Sequence, residues 1–219
     1  TATASDGHAY IGSEQDLRIN RVSATEDIRI KTAGSLINAV AGSAAVNVTG
    51  GNLILESAHG GIGAIPDPLT GALGSPLRIN LGVNASLIAR AAGDIWVETP
   101  NSLKVDTVYS RSDVKLDAEG SILDMGGDSP TDPALNIRSR NLELVSRTGS
   151  VGEDDDALDV GVNADGRIVV TAATAGQGVF LHGPAGEHFN IGSSTSGGAT
   201  SLTAANNMMV DGQVTGLGT

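Results

Sequence analysis

Short apolar/polar alternations, broken every few residues by Gly, Asn, Asp, Ser or Pro, run through the chain from end to end. The stretch Gly93–Met125 shows the pattern best: Ile95 and Val97 flank Trp96, Leu103 and Val105 flank Lys104, and Val114 and Leu116 flank Lys115. A period of two sends flanking residues to one side and the middle residue to the other, so each piece predicts a short strand with one buried face. Further strands are predicted at Ala9–Ile11, Leu17–Ile19, Ile28–Ile30, Leu36–Asn38, Ala45–Val48 and Leu53–Leu55. After a Pro-bearing interruption they resume at Leu77–Leu81 and Leu87–Ala89. No stretch reads as a helix; Ala39–Ala44 is Ala-rich but contains Gly42.

The pattern repeats. Shifted back by 86 positions, Gly93–Met125 lies on Gly7–Ala39 without a gap: Ile11 meets Val97, Leu17 meets Leu103, Val22 meets Val108, Asp27 meets Asp113 and Ile30 meets Leu116. Beyond this block Leu142–Leu144 answers Leu53–Leu55, Ser150-Val151-Gly152 answers Gly61-Ile62-Gly63, and Arg167–Val170 answers Ser86–Ala89. A fainter third copy begins at Gln177, where Val179-Phe180-Leu181 answers Ile95-Trp96-Val97. The units are about 7–92, 93–175 and a partial 176–212, with no linker between them, and residues 1–219 are expected to form one domain belonging to a longer chain. Within a unit, equivalent strands recur roughly every 17–20 residues, the length of one coil of a β-solenoid. Parallel strands stack about 4.7–4.9 Å apart, so about eleven coils would make a rod on the order of 50 Å long. A β-sandwich also has short strands, but it has no need of consecutive copies of one pattern.

Composition sharpens this picture. Hydrophobic residues make up 40% of the chain but aromatics only 2%, so the core must be built in thin layers of Val, Ile, Leu and Ala. The net charge of −12 disfavours nucleic acid and anionic membrane surfaces as partners. The absence of cysteine excludes a disulfide scaffold and Cys-ligated metals. No apolar run reaches the ~20 residues of a membrane span, and the first residues do not read as a signal peptide.

Several segments resemble the repeats of filamentous-haemagglutinin-type exoproteins, large bacterial surface adhesins exported by two-partner secretion. They are Gly51–Ala58, Gly60-Gly61-Ile62-Gly63, Pro76–Asn80, Gly93–Glu98, Asp113–Ala118 and Gly120–Asp124. The resemblance covers most of the chain up to about Ala172. It implies an all-β, right-handed parallel β-helix that is extracellular or on the bacterial cell surface. In that setting the chain would be a non-catalytic shaft serving adhesion or filament assembly. Partners would be adjoining coils or further copies end to end, with a host receptor or glycan as an added option. The Asn-Pro-Asn motifs of that family's secretion domain are missing, so no functional residue of that domain is transferable.

Candidate chemistry is sparse. The acidic run Glu153-Asp154-Asp155-Asp156 offers hard oxygen ligands in a Gly-flanked loop and is the best candidate for Ca²⁺, the one cofactor the residues suggest. Asp124, Asp128 and Asp132 form a second, looser set. Paired carboxylates can cleave glycosides, but Asp27 and Asp113 recur at one repeat position, as a turn residue used twice would. None of His8, His59, His182 and His188 falls into a ligand spacing, and no nucleophile elbow, P-loop or dinucleotide fingerprint is present. These observations predict a protein that is not an enzyme. A polysaccharide-binding or -processing β-helix and a Ca²⁺-stabilised surface-layer or fibre protein are the alternatives. Finally, Tyr10, Trp96 and Phe180 share one register in the three units. They point either to a row of contacts on one face or to rings packed against their own surroundings.

Overall fold

In a computed structural model, which describes residues 1–40, 44–65, 74–126 and 135–216, the chain forms a parallel β-solenoid. Nearly all pairing is parallel, between segments far apart in sequence, and the described residues contain no helix. The inward residues of successive coils stack in three columns, one for each side of the coil. On the first side Ile11, Ile30, Leu55, Ala89, Val108, Ile137 and Val160 follow one another. On the second, Leu17, Leu36, Ile62, Ile95, Val114, Leu142, Ile168 and Ile191 do so. The third runs through Ala2, Val22, Val48 and Ile79, and higher up through Leu103, Ile122, Val151 and Val179. From Leu36 to Ile191 the second column is essentially closed to solvent. Each fully buried Leu or Ile contributes about 1.5–3 kcal/mol relative to exposure, and each leans on the coil above and the coil below.

The columns count nine turns, two fewer than the sequence spacing suggested, which shortens the rod to about 40 Å at the parallel-strand spacing. The reason is that coil length is not uniform. Corner residues joined by hydrogen bonds between adjacent coils lie 19 positions apart at one place (Asp94 to Asp113) and 34 at another (Asn52 to Ser86). Loops swell some coils while leaving the columns in register. Several strands also extend past their predicted ends, as in Ala9–Ser13, Ile28–Thr32, Leu53–Ser57 and Ser86–Ala91. Ala2–Ala4, Val22–Ala24 and Leu158–Val162 were not foreseen.

The 86-residue repeat does not span a whole number of turns. From Ala9 to Ser86 the coil uses ten strand segments: Ala9–Ser13, Leu17–Ile19, Val22–Ala24, Ile28–Thr32, Leu36–Asn38, Val48–Gly50, Leu53–Ser57, the bridge at Ile62, Leu77–Leu81 and Ser86–Ala91. Ten segments on a three-sided coil make three turns and one side more. The second copy therefore begins one side further round, with Ile95–Thr99 in the second column, and the third copy, Val179–Gly183, begins in the third column.

Candidate functional site

The corners reveal what the recurring polar residues do. Asp27 Oδ1 accepts the backbone N–H and the side-chain amide of Asn52, both at 3.1 Å, and Asn52 Oδ1 accepts the N–H of Ser86 at 3.0 Å. One repeat later Asp113 Oδ1 accepts the same two groups of Asn141, at 3.2 and 2.9 Å, and Asn141 Oδ1 accepts the N–H of Arg167. The doubled aspartate is a rung of a corner ladder that ties one coil to the next. A second ladder uses hydroxyls: Ser102 accepts Ser121 N–H, Ser121 accepts Ser150 N–H, and Ser150 accepts Gly178 N–H. A third lies inside the coil, through Asn47 and Asn136, which are 0% and 2% exposed.

Burial works to raise the Asp113 carboxyl, but hydrogen bonds from Arg140 and Asn141 and the Arg140 charge outweigh it and hold the group below its usual 3.8. Arg140 Nε lies 2.8 Å from Asp113 Oδ1. A depressed carboxylate contributes stability above its unfolded-state value and loses it as pH falls through the folded value. Asp113→Asn is therefore expected to lower the melting temperature at pH 7, with the gap to wild type closing as pH is taken below 3.8. A gap that stays constant down to acid pH would exclude this role.

The Ca²⁺ candidate does not assemble. Glu153, Asp154 and Asp155 are exposed, and the loop closes on itself through reciprocal backbone hydrogen bonds between Glu153 and Asp156. Among the described residues no three His, Cys, Asp or Glu side chains converge as a metal site. The run adjoins strands that return to the column at Leu158, and that detour, rather than a shared ligand, places these residues together. In the second set Asp124 accepts a hydrogen bond from Asn136 at 2.7 Å, as a rung of the inner ladder. Asp128 and Asp132 lie outside the described residues.

The three aromatics do not form a row on one face. Because each repeat starts one side further round, Tyr10, Trp96 and Phe180 stand on three different sides of the rod. Each has its own surroundings. The Tyr10 ring lies 6.0 Å from that of His8 and is 72% exposed. Lys115 Nζ sits 5.4 Å from the centre of the half-buried Trp96 ring, within cation–π range. Phe180 covers the space over Gly178.

Of the histidines, His8 Nε2 meets Glu26 at 2.8 Å, and His182 Nδ1 lies 2.6 Å from the fully buried Asp159. Asp159 and His182 are paired in register, as Arg78 and Glu98 are one repeat earlier, so a cross-coil contact between a carboxylate and a nitrogen-bearing side chain recurs there with the two positions exchanged. Nothing in the sequence spacing pointed to that pair, because its members come from segments of different copies.

Sequence reasoning also missed a shallow groove along the corner after the first side. Outward residues Lys31, Glu56, Arg90 and Tyr109 follow one another coil by coil, with Arg111 beside them. The signal was available in principle, as outward positions of predicted strands, but only the register reveals which of them stack.

Fold and surface together define a parallel β-solenoid with laddered corners and shallow grooves. No family model matches the chain, and no solved structure matches it. Among curated proteins, a "multifunctional 2-oxoglutarate metabolism enzyme" of Mycolicibacterium vanbaalenii is 34% identical over 117 residues, and its counterpart in Mycobacterium sp. (strain JLS) is 33% identical over the same length. In both cases the match takes in 49% of this chain and 9% of the relative. The chain thus spans less than a tenth of the length of these relatives.

Proposed function

We propose that the chain is a non-catalytic shaft segment of a bacterial extracellular adhesin or surface fibre. The observation carrying this reading is the uninterrupted apolar column from Leu36 to Ile191, stacked like on like through loops of very different length. A structure in which every coil supports its neighbours, with each corner tied by a ladder, resists bending and carries load along its axis. The resemblance of the repeat segments to filamentous-haemagglutinin-type exoproteins supports the same reading. The surface chemistry suits spacing and display: pairs such as Arg29–Glu56, Arg78–Glu98 and Lys115–Glu143 link one coil to another along the rod.

The test is a parent fibre from which 86 residues, one full unit, are removed in frame. Electron microscopy is expected to show shortening by about 16 Å, three and a third coils at the parallel-strand spacing, with the fibre otherwise intact. Depolymerisation of an acidic or neutral polysaccharide by the isolated chain would replace this reading with that of a polysaccharide-processing β-helix.

A further inference from the structure

Seven of the thirteen Lys and Arg side chains sit in ion pairs, at Arg29, Arg78, Lys115, Arg138, Arg140, Arg147 and Arg167. Of the remaining six, three line one groove: Lys31, Arg90 and Arg111. All three are exposed, and among the described residues none of them makes an ion pair or a side-chain hydrogen bond. In a chain of net charge −12, three uncommitted cations in one place are an exception to the surface around them. Glu56 also lines the groove but is engaged by Arg29, whose guanidinium reaches it at 2.7 and 2.9 Å, so that carboxylate is already matched. On the neighbouring coil Tyr109 stacks above Arg90 in register and keeps 40% of its surface in solvent.

We propose that this groove binds an acidic polysaccharide built of uronic acids, laid along the rod axis. Lys31 and Arg90 are two coils apart and Arg90 and Arg111 one, so cationic heads are offered at multiples of about 4.8 Å. That interval is close to the advance of an extended pyranose chain per sugar. A planar guanidinium takes a carboxylate through two parallel hydrogen bonds. The Tyr109 ring presents an apolar face to the C–H face of a sugar, which an acidic peptide or a free phosphate does not use. The proposal adds a ligand to the shaft reading without needing it, and fibre shortening remains a separate measurement.

The experiment measures binding of the whole chain to polygalacturonate by calorimetry at several salt concentrations, with neutral dextran, dextran sulfate and polyglutamate as parallel probes. Binding to polygalacturonate that weakens with salt is expected, with none to neutral dextran. Arg90→Gln and Arg111→Gln should each weaken it roughly tenfold, as for loss of a charge-assisted hydrogen bond. Tyr109→Ala should weaken it while Tyr109→Phe keeps it, since the ring and not the hydroxyl is used. Unchanged circular dichroism and melting temperature would show that these exposed substitutions leave the fold in place. The proposal fails if polygalacturonate does not bind, or if the double arginine variant binds as well as wild type. It fails equally if dextran sulfate or polyglutamate is preferred, or if Tyr109→Ala makes no difference.

Discussion

Gly63→Val is expected to destabilise the chain by about 3 kcal/mol or more, through backbone strain joined to a steric clash. Gly63 has φ +68°, a conformation that side-chain-bearing residues rarely adopt, least of all β-branched ones. A Cβ there would press on the Trp96 carbonyl oxygen and lie 2.9 Å from the Leu77 nitrogen, both of them backbone. The requirement is one of close packing: Gly63 lies against the Leu77 backbone and directly beneath Trp96 of the next coil. The equivalent position one repeat later is Gly152, also at φ +68°, with the Phe180 carbonyl and the Leu158 nitrogen in the same roles. Gly152→Val should therefore cost a similar amount. Gly12→Val is the control: nothing lies within 4 Å of its would-be Cβ, and its φ is not positive. Denaturant unfolding is expected to separate the first two variants clearly from the third. Equal tolerance of all three would refute the close-packing argument.

Asn47→Asp should cost about 3 kcal/mol at neutral pH although it changes almost no volume, because it removes donors from a sealed site. The Asn47 amide donates to the Ile19 carbonyl and to Asn38 Oδ1, each at 2.9 Å, while its own oxygen accepts the Arg78 N–H at 2.9 Å. A carboxylate would set an acceptor against two acceptors at a site closed to solvent. Asn136→Asp at the equivalent position is the sharper case. The amide there donates to Asp124 at 2.7 Å, so the substitution would bring two carboxylates together. Its loss of stability at neutral pH should exceed that of Asn47→Asp and should lessen as acid protonates one of the pair. A melting temperature for Asn136→Asp that matches wild type at pH 7 would sink the account.

What was legible in the sequence was what alternation and self-similarity encode. The inward residues of Ile95–Thr99 or Leu36–Asn38 could be named because a two-residue period leaves one assignment. The correspondence of Ser150-Val151-Gly152 with Gly61-Ile62-Gly63 survives in the structure down to the dihedral of the last glycine. Turn count and facing were not legible. A repeat of similar residues says nothing about how many sides lie between copies, so Tyr10, Trp96 and Phe180 shared a register without sharing a face. The acidic run Glu153–Asp156 misled for a related reason: adjacency in sequence is not convergence in space, and its loop closes through the backbone. The Asp159–His182 contact and the groove of Lys31, Arg90 and Arg111 depend on which coil sits on which. Loops of unequal length hide that information.

The extra side in each repeat makes the solenoid an indexing device. Lengthening it by one unit moves whatever follows outward and also swings it by a third of a revolution, and only after three units does the original heading return. Growth by duplication would thus spread copies of any surface group around the axis like steps on a spiral stair. Approach from every direction then meets the same chemistry at some height.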